Sequence, residues 1–271
     1  QLSAVPGLPG MFEKCFLNTL QTTLQRTPDE QTFVITGDIP AMWLRDSTAQ
    51  VLHYVRFAKE DGEIAGLLEG LIARQMKYIL LDPYANAFNL TGNKRQGHRD
   101  RPLPIRWVWE RKYEVDSLCH PVLLAWRYYG KTRTVHWMDE SFLKALRLIV
   151  DVFAAEQHHE TDSPYTFERD HCPPSDTLKR KGRGTETAYT GMTWSGFRPS
   201  DDACAYGYLI PANLFAAKIL EYIGEFASLK GDAALKSRAA LVKGRIEQGI
   251  QEHGHVEHPV YGDVYAYETD G

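Results

Sequence analysis

The chain has no run of the ~20 apolar residues that a helix needs to cross a bilayer. Neither sign of charge is much in excess, since 31 Lys and Arg against 35 Asp and Glu leave a formal net charge of −4. Proteins that live on phosphate backbones show a basic stripe. The densest here, Lys179-Arg180-Lys181-Gly182-Arg183, is short and set among Gly, Thr and Asp, so it reads as a solvated loop and nucleic acid is not an expected partner. Cysteine is scarce. Cys15, Cys119, Cys172 and Cys204 stand far apart and never as C-x-x-C, which argues against a structural zinc site. Each lies in or beside an apolar stretch and reads as a buried free thiol.

Several motifs that would announce other chemistry are also missing: G-x-x-x-x-G-K-[ST], G-x-G-x-x-G after a strand, G-x-S-x-G and H-E-x-x-H. His158-His159 beside Glu160 comes nearest to a metal cluster. Adjacent histidines at a helix end diverge, however, so a solvated turn is expected. Asn89-Leu90-Thr91 matches a glycosylation triplet, a pattern that often arises by chance. The first ten residues show no basic stretch followed by an apolar run.

What is present is an ordinary globular composition, 43% hydrophobic over 271 residues, enough for a large core. Phe12, Phe16, Leu17, Leu20 and Leu24 recur at helical spacing. Further helices are expected over residues 47–59, 62–81, 115–129, 139–157, 201–224 and 232–253, several of them opened by Asp or Ser. Short strands are expected over residues 31–36 and 261–267. Between the helices run long polar, aromatic-rich connections, over residues 82–114, 160–200 and 254–271. Connections of that length are usually functional. The alternation suits an all-α fold, either a helical solenoid or a closed helical toroid.

Three of these segments carry chemistry. In Gly37-Asp38-Ile39-Pro40-Ala41-Met42-Trp43-Leu44-Arg45-Asp46-Ser47, two carboxylates, a guanidinium fork and an indole offer what a sugar ring wants. Hydroxyls pair with Asp and Arg while the C–H face packs on an aromatic. The same residues also read as a cap at Asp46, a structural Arg–Asp pair and a core Trp. Arg106-Trp107-Val108-Trp109-Glu110-Arg111-Lys112-Tyr113-Glu114-Val115-Asp116-Ser117 places two indoles on one side of an extended segment. It then sets Glu114 and Asp116 at a helix start, where capping alone could account for both acids. Thr190-Gly191-Met192-Thr193-Trp194-Ser195-Gly196-Phe197-Arg198-Pro199-Ser200-Asp201-Asp202-Ala203 leads into paired acids that raise each other's pKa, as a general acid requires. Here too a simple cap, Ser200 followed by dipole-matching acids, is the alternative. Together these loops hold the inventory of a carbohydrate cleft, and glycoside hydrolysis uses two carboxyl groups.

In order and in wording, the three segments resemble glycoside hydrolase family 125, exo-acting α-1,6-mannosidases of bacteria and fungi. The likeness runs over residues 12–271 and includes the final Tyr267-Glu268-Thr269-Asp270-Gly271. It implies an (α/α)6 toroid of six helical hairpins, inversion of anomeric configuration, an Asp general acid, a Glu general base, and no metal or other cofactor. On this likeness the acid falls on Asp201, with Asp202 as its neighbouring alternative. Hydroxyl binding falls on Asp38, Arg45, Asp46, Glu114, Arg198 and Glu268, and ring packing on Trp43, Trp109 or Trp194. The family's base lies in the C-terminal part of its catalytic domain. The expectation is therefore a single catalytic domain over residues 1–271 that forms the N-terminal two-thirds of the barrel and continues past Gly271. The implied partner is an α-mannoside oligosaccharide. The same loops would equally serve a mannose-binding protein without catalysis, or an exo-glycosidase of other specificity on the same toroid. Oligomeric state stays open, as does compartment, which is cytoplasmic for bacterial relatives and can be secretory for fungal ones.

Overall fold

The computed structural model describes residues 5–271. Helices dominate it: α1 (Leu8–Thr22), α2 (Leu44–Val51), α3 (Gly62–Leu81), α4 (Val115–Thr132), α5 (Glu140–Glu156), the single turns α6 (His159–Asp162) and α7 (Lys179–Gly182), α8 (Ile210–Leu229) and α9 (Ala233–His253). The strands are short: β1 (Leu24–Arg26), β2 (Thr32–Val34), β3 (Met42–Trp43), β4 (Ala87–Phe88), β5 (Asp100–Arg101), β6 (Val108–Glu110), β7 (Glu168–Arg169), β8 (Tyr208–Leu209), β9 (His255–His258), β10 (Gly262–Tyr265) and β11 (Glu268–Thr269). They stitch the connections to one another. β3, β4 and β6 form an antiparallel trio, β5 pairs with β7, and β11 pairs with β8.

Local chemistry explains the helix starts that match expectation. The carboxyl of Asp61 accepts the amides of Glu63 and Ile64, Asp139 accepts that of Phe142, and Asp232 that of Leu235. Each satisfies donors that a helix otherwise leaves open. Two expected helices differ. The one over 47–59 begins earlier, at Leu44, and tightens into a 3-10 helix over Leu52–Phe57. The one over 201–224 begins only at Ile210, with Pro211 in its first turn, where its missing N–H costs nothing.

α3 packs on α5, α4 lies against α2 and α8, and α8 and α9 form a helical hairpin. Their shared core holds Leu71, Ile79, Val122, Ile149, Ile223 and Phe226, all essentially solvent-free. Burying each contributes roughly 1.5–3 kcal/mol. Among the described residues no helix is long and apolar enough to cross a membrane.

Two expectations need correction here, and a third observation fits the chance reading of the glycosylation triplet. Of the four free thiols only Cys119 is buried; Cys172 and Cys204 are half-buried, and Cys15 is exposed on α1, a helix with no buried residue. His159 is no solvated turn: it is 1% exposed and held between the Glu156 carboxylate and the Arg183 carbonyl. Asn89 is fully buried, its amide donating to the carbonyl of Arg95, so that triplet has no room for a glycan.

Candidate active site

The third segment forms a tight hairpin instead of a helix start. Phe197 and Ala203 bridge, the Arg198 amide donates to the Asp202 carbonyl, and the Cys204 amide donates to that of Gly196. Asp201 sits at the tip with φ +68°. That left-handed conformation is uncommon for a residue with a side chain, though Asp tolerates it better than most. Neither Asp201 nor Asp202 therefore caps a helix, and Ser200 gives its hydroxyl to the Asp202 carboxylate, 3.1 Å away, instead of to a helix amide.

The two acids point to different surroundings. Asp201 Oδ1 lies 3.5 Å from Asn86 Nδ2. Asn86 is buried and fixed: its amide donates to Glu110 at 2.9 Å, and its Oδ1 accepts the Lys112 amide. Asp202 is engaged locally, within its own hairpin.

Beneath the hairpin lies the cluster built by the first and second segments. Arg45 Nη1 donates to Glu114 at 2.7 Å and to Asp116 at 3.3 Å, while its Nε lies 3.7 Å from Asp46. Burial and the crowding of acids around one guanidinium shape the titration of every member. Burial pushes Glu114 well above the usual carboxylate range, with Arg45 opposing and the Asp116 and Asp201 charges adding. Asp116 also rises, mainly through burial. Burial lowers Arg45, but Glu114, Asp116 and Asp46 outweigh it and the guanidinium stays firmly charged. His120, one turn along α4, is pushed down to about 4 by burial and by Arg45.

A pocket of about 230 Å³ opens onto this cluster. Arg45, Asp116 and His120 line its polar side, and Pro199, Phe215 and Tyr267 are among the residues of its apolar side. Among the described residues, buried Glu114 Oε1, Asp116 Oδ1 and His120 Nδ1 have no hydrogen-bond partner. Buried polar atoms are normally paired, and two of these three belong to Asp116 and His120, which line the pocket and so offer hydrogen-bonding capacity there. Among the described residues no group of three or more His, Cys, Asp or Glu could hold a metal ion.

The other expected site residues divide. Asp38 is exposed on a turn bracketed by the Thr36–Ile39 bridge, with no side-chain hydrogen bond among the described residues. Trp43 is 7% exposed and joins Ala41 and Ala87, with half-buried Trp109 packed against them. Trp107 instead packs on the main core beside Tyr78, so the two indoles of the second segment have different neighbours. Trp194 cannot hold a sugar ring, being 1% exposed and stacked on His159. Glu268 is no free hydroxyl binder either. One of its oxygens takes Arg198 Nε at 2.5 Å and the other takes the amides of Ala205 and Tyr206, so it staples the hairpin to β11. Arg198 joins the same staple through Nε. Asn86, Glu110, Lys112, Asp176 and Arg169 were not anticipated as site residues. Glu110 and Lys112 lie inside the second segment but were passed over in favour of its indoles and later acids, while Asn86, Arg169 and Asp176 lie outside all three segments.

A family model described as metal-independent α-mannosidase (GH125) matches residues 6–271. The meiotically up-regulated gene 157 protein of Schizosaccharomyces pombe is 37% identical, over 97% of this chain and 56% of its own length. A Streptococcus pneumoniae protein is 43% identical and superposes with a TM-score of 0.94, over 96% of this chain and 62% of that one. It was solved in a non-productive complex with α-1,6-mannobiose, as one of a family of metal-independent α-mannosidases. The chain thus spans little more than half the length of these relatives. An acid held at a hairpin tip, a buried Arg–carboxylate cluster opening on a pocket, and a match over almost all of its length place this chain in glycoside hydrolase family 125.

Proposed function

We propose that the protein is an inverting exo-α-1,6-mannosidase, that residues 1–271 form one catalytic unit, and that their helices make part of an (α/α)6 toroid. The observation that carries the reading is Asp201: a carboxyl at the tip of a braced hairpin, facing Asn86 and close enough for its charge to act on Glu114. The solved relative bound to α-1,6-mannobiose supports the choice of substrate. The terminal mannose sits in the pocket beside Arg45, Asp116 and His120, with Trp109 offering the exposed edge of the Trp43 cluster.

Protonated Asp201 gives its proton to the glycosidic oxygen as the bond to the anomeric carbon breaks. A water attacks that carbon from the opposite face and loses its proton to a Glu base, which the resemblance puts in a later part of the family's catalytic domain. Inverting enzymes hold the two carboxyls roughly 6.5–9.5 Å apart to admit this water. Proton NMR of α-1,6-mannobiose turnover by the full-length protein tests the reading. β-Mannose is expected to appear first and to mutarotate later. α-Mannose as first product removes inversion from the proposal; binding of the disaccharide without turnover leaves only a mannose-binding protein.

A further inference from the structure

Lys112 is 3% exposed, too deep to meet a substrate, and yet it touches the hairpin tip from two directions. Its ammonium donates to the backbone carbonyl of Asp201 at 2.8 Å. Its own backbone amide donates to Asn86 Oδ1, and the amide group of that same Asn86 faces the Asp201 carboxyl. The ammonium also pairs with Asp176, lies 4.0 Å from Glu110 and sits over the Phe197 ring that opens the hairpin. Asp176 is gripped in turn by Arg169, which holds Asp100 through two bonds and reaches Glu110 as well.

The assembly is asymmetric with respect to Asp201. A left-handed backbone at a residue with a side chain persists only where its surroundings over-determine it. Here the surroundings are the turn bond from the Asp201 amide to Arg198 and the ammonium on the Asp201 carbonyl. A lysine buried for structural pairing alone would need only Asp176 and Glu110. One that also grips the carbonyl of the acid sets the direction in which the acid's side chain leaves the backbone.

We infer that Lys112 is a positioning residue, holding Asp201 in its left-handed conformation and aiming the carboxyl at the leaving-group oxygen. The inference rests on Asp201 being the acid. Misplacing a reacting group by about 1 Å can cost on the order of 100-fold in rate, and this loss falls only where protonation is needed. A dinitrophenolate leaves without an acid's help, whereas a sugar alkoxide does not.

The experiment compares α-1,6-mannobiose with 2,4-dinitrophenyl α-mannoside on the full-length protein and its Lys112→Met, Asp201→Asn and double variants. For Lys112→Met, kcat on mannobiose is expected to fall roughly 100-fold, with kcat on the dinitrophenyl substrate changing only a few-fold. Lys112→Met added to Asp201→Asn is expected to cost nothing further, because the two act through one group. Asp176→Asn, which loosens the lysine without removing it, gives a smaller loss of the same selectivity and serves if Lys112→Met does not fold. Equal loss on both substrates, or a further loss in the Asp201→Asn background, overturns the positioning role. If Asp201→Asn itself shows no dependence on the leaving group, the assignment of the acid fails and this inference falls with it. If Asp201→Asn shows that dependence and neither Lys112→Met nor Asp176→Asn does, only the inference falls.

Discussion

The imidazole of His159 lies flat on the indole of Trp194, with ring centroids 3.6 Å apart and planes 11° from parallel. His159 is itself tied to the Glu156 carboxylate at 2.7 Å, and Glu156 also accepts the hydroxyls of Tyr84 and Ser163. The aromatic and glycine-rich start of the third segment is therefore a buried platform under the hairpin. Gly207 and Gly184 press on the other parts of that indole.

Gly207→Ala tests the platform. A Cβ there would lie 2.2 Å from Trp194 Cδ1, 2.3 Å from its Nε1 and 2.7 Å from a methyl of Thr187. The indole is enclosed and has nowhere to move, so overpacking is expected to cost about 1–3 kcal/mol, read as a lower urea midpoint with an unchanged slope. Wild-type stability in this variant would contradict the packing described.

Asp201 and Asp202 are neighbours with different environments, and replacing them separates their roles. Asp201→Asn is expected to lower kcat on mannobiose by a factor of about 10²–10⁴ while calorimetric binding of the disaccharide stays near wild type. Asp202→Asn removes a charge while keeping an oxygen that can accept the Ser200 hydroxyl, and should leave kcat within a few-fold. The reverse outcome moves the acid to Asp202.

His120 gives a pH dependence with a definite sign. Its folded value of about 4 lies below the ordinary 6.5, so the native state keeps the ring neutral while the unfolded chain takes up a proton. The stability it contributes is present above pH 6.5 and is lost as pH falls toward 4. Over that interval, 6.5 − 4 = 2.5 units, it amounts to about 3 kcal/mol. The raised carboxyls of Glu114 and Asp116 act in the opposite sense, since their contribution is present at low pH and is lost as pH rises. Urea unfolding of His120→Gln at pH 7.5 and 4.5 should therefore show a shallower acid loss than wild type, and equal losses would place the proton on His120 in the native state.

The Glu268 staple predicts a local effect. Glu268→Ala leaves Arg198 and the amides of Ala205 and Tyr206 without their acceptor. Amide hydrogen exchange at those two residues is expected to quicken by about tenfold or more, the equivalent of about 1.4 kcal/mol, with little change in α3 or α5. Unchanged exchange would mean the hairpin is held by its other contacts.

Much of the helical frame was legible because its signals are local. Asp61, Asp139 and Asp232 cap the helices they precede, and α3 runs over the span its periodicity predicts. Ser200-Asp201-Asp202 carries the same local signal and folds otherwise. What overrides it comes from elsewhere in the chain, the Lys112 ammonium and the Ser175 carbonyl that takes the Ala203 amide. The Arg45–Glu114 pair joins two segments that each looked chemical alone, so both halves of the site could be named before their contact was known. Lys112, Asp176 and Arg169 could not. Arg169 and Asp176 are only seven positions apart, but the links from Lys112 to Asp176, from Arg169 to Asp100 and from Lys112 to the Asp201 carbonyl span 64, 69 and 89 positions, and a lysine or arginine read without those links looks like any solvated charge. Trp194 was misread because an indole beside glycines suits a sugar platform and a buried slab equally well.

The Arg169 assembly has one more consequence. Its guanidinium and the Asp100 carboxylate are almost completely shielded from solvent, whereas a pair such as Arg26–Glu30 stands open to it. Dissolved ions screen exposed charges over a distance of about 8–10 Å at ordinary ionic strength but reach enclosed ones far less. The brace behind the candidate acid is thereby insulated from the salinity of its surroundings, and changes of salt that loosen the molecule's outer charge pairs leave the geometry of the hairpin tip where it was.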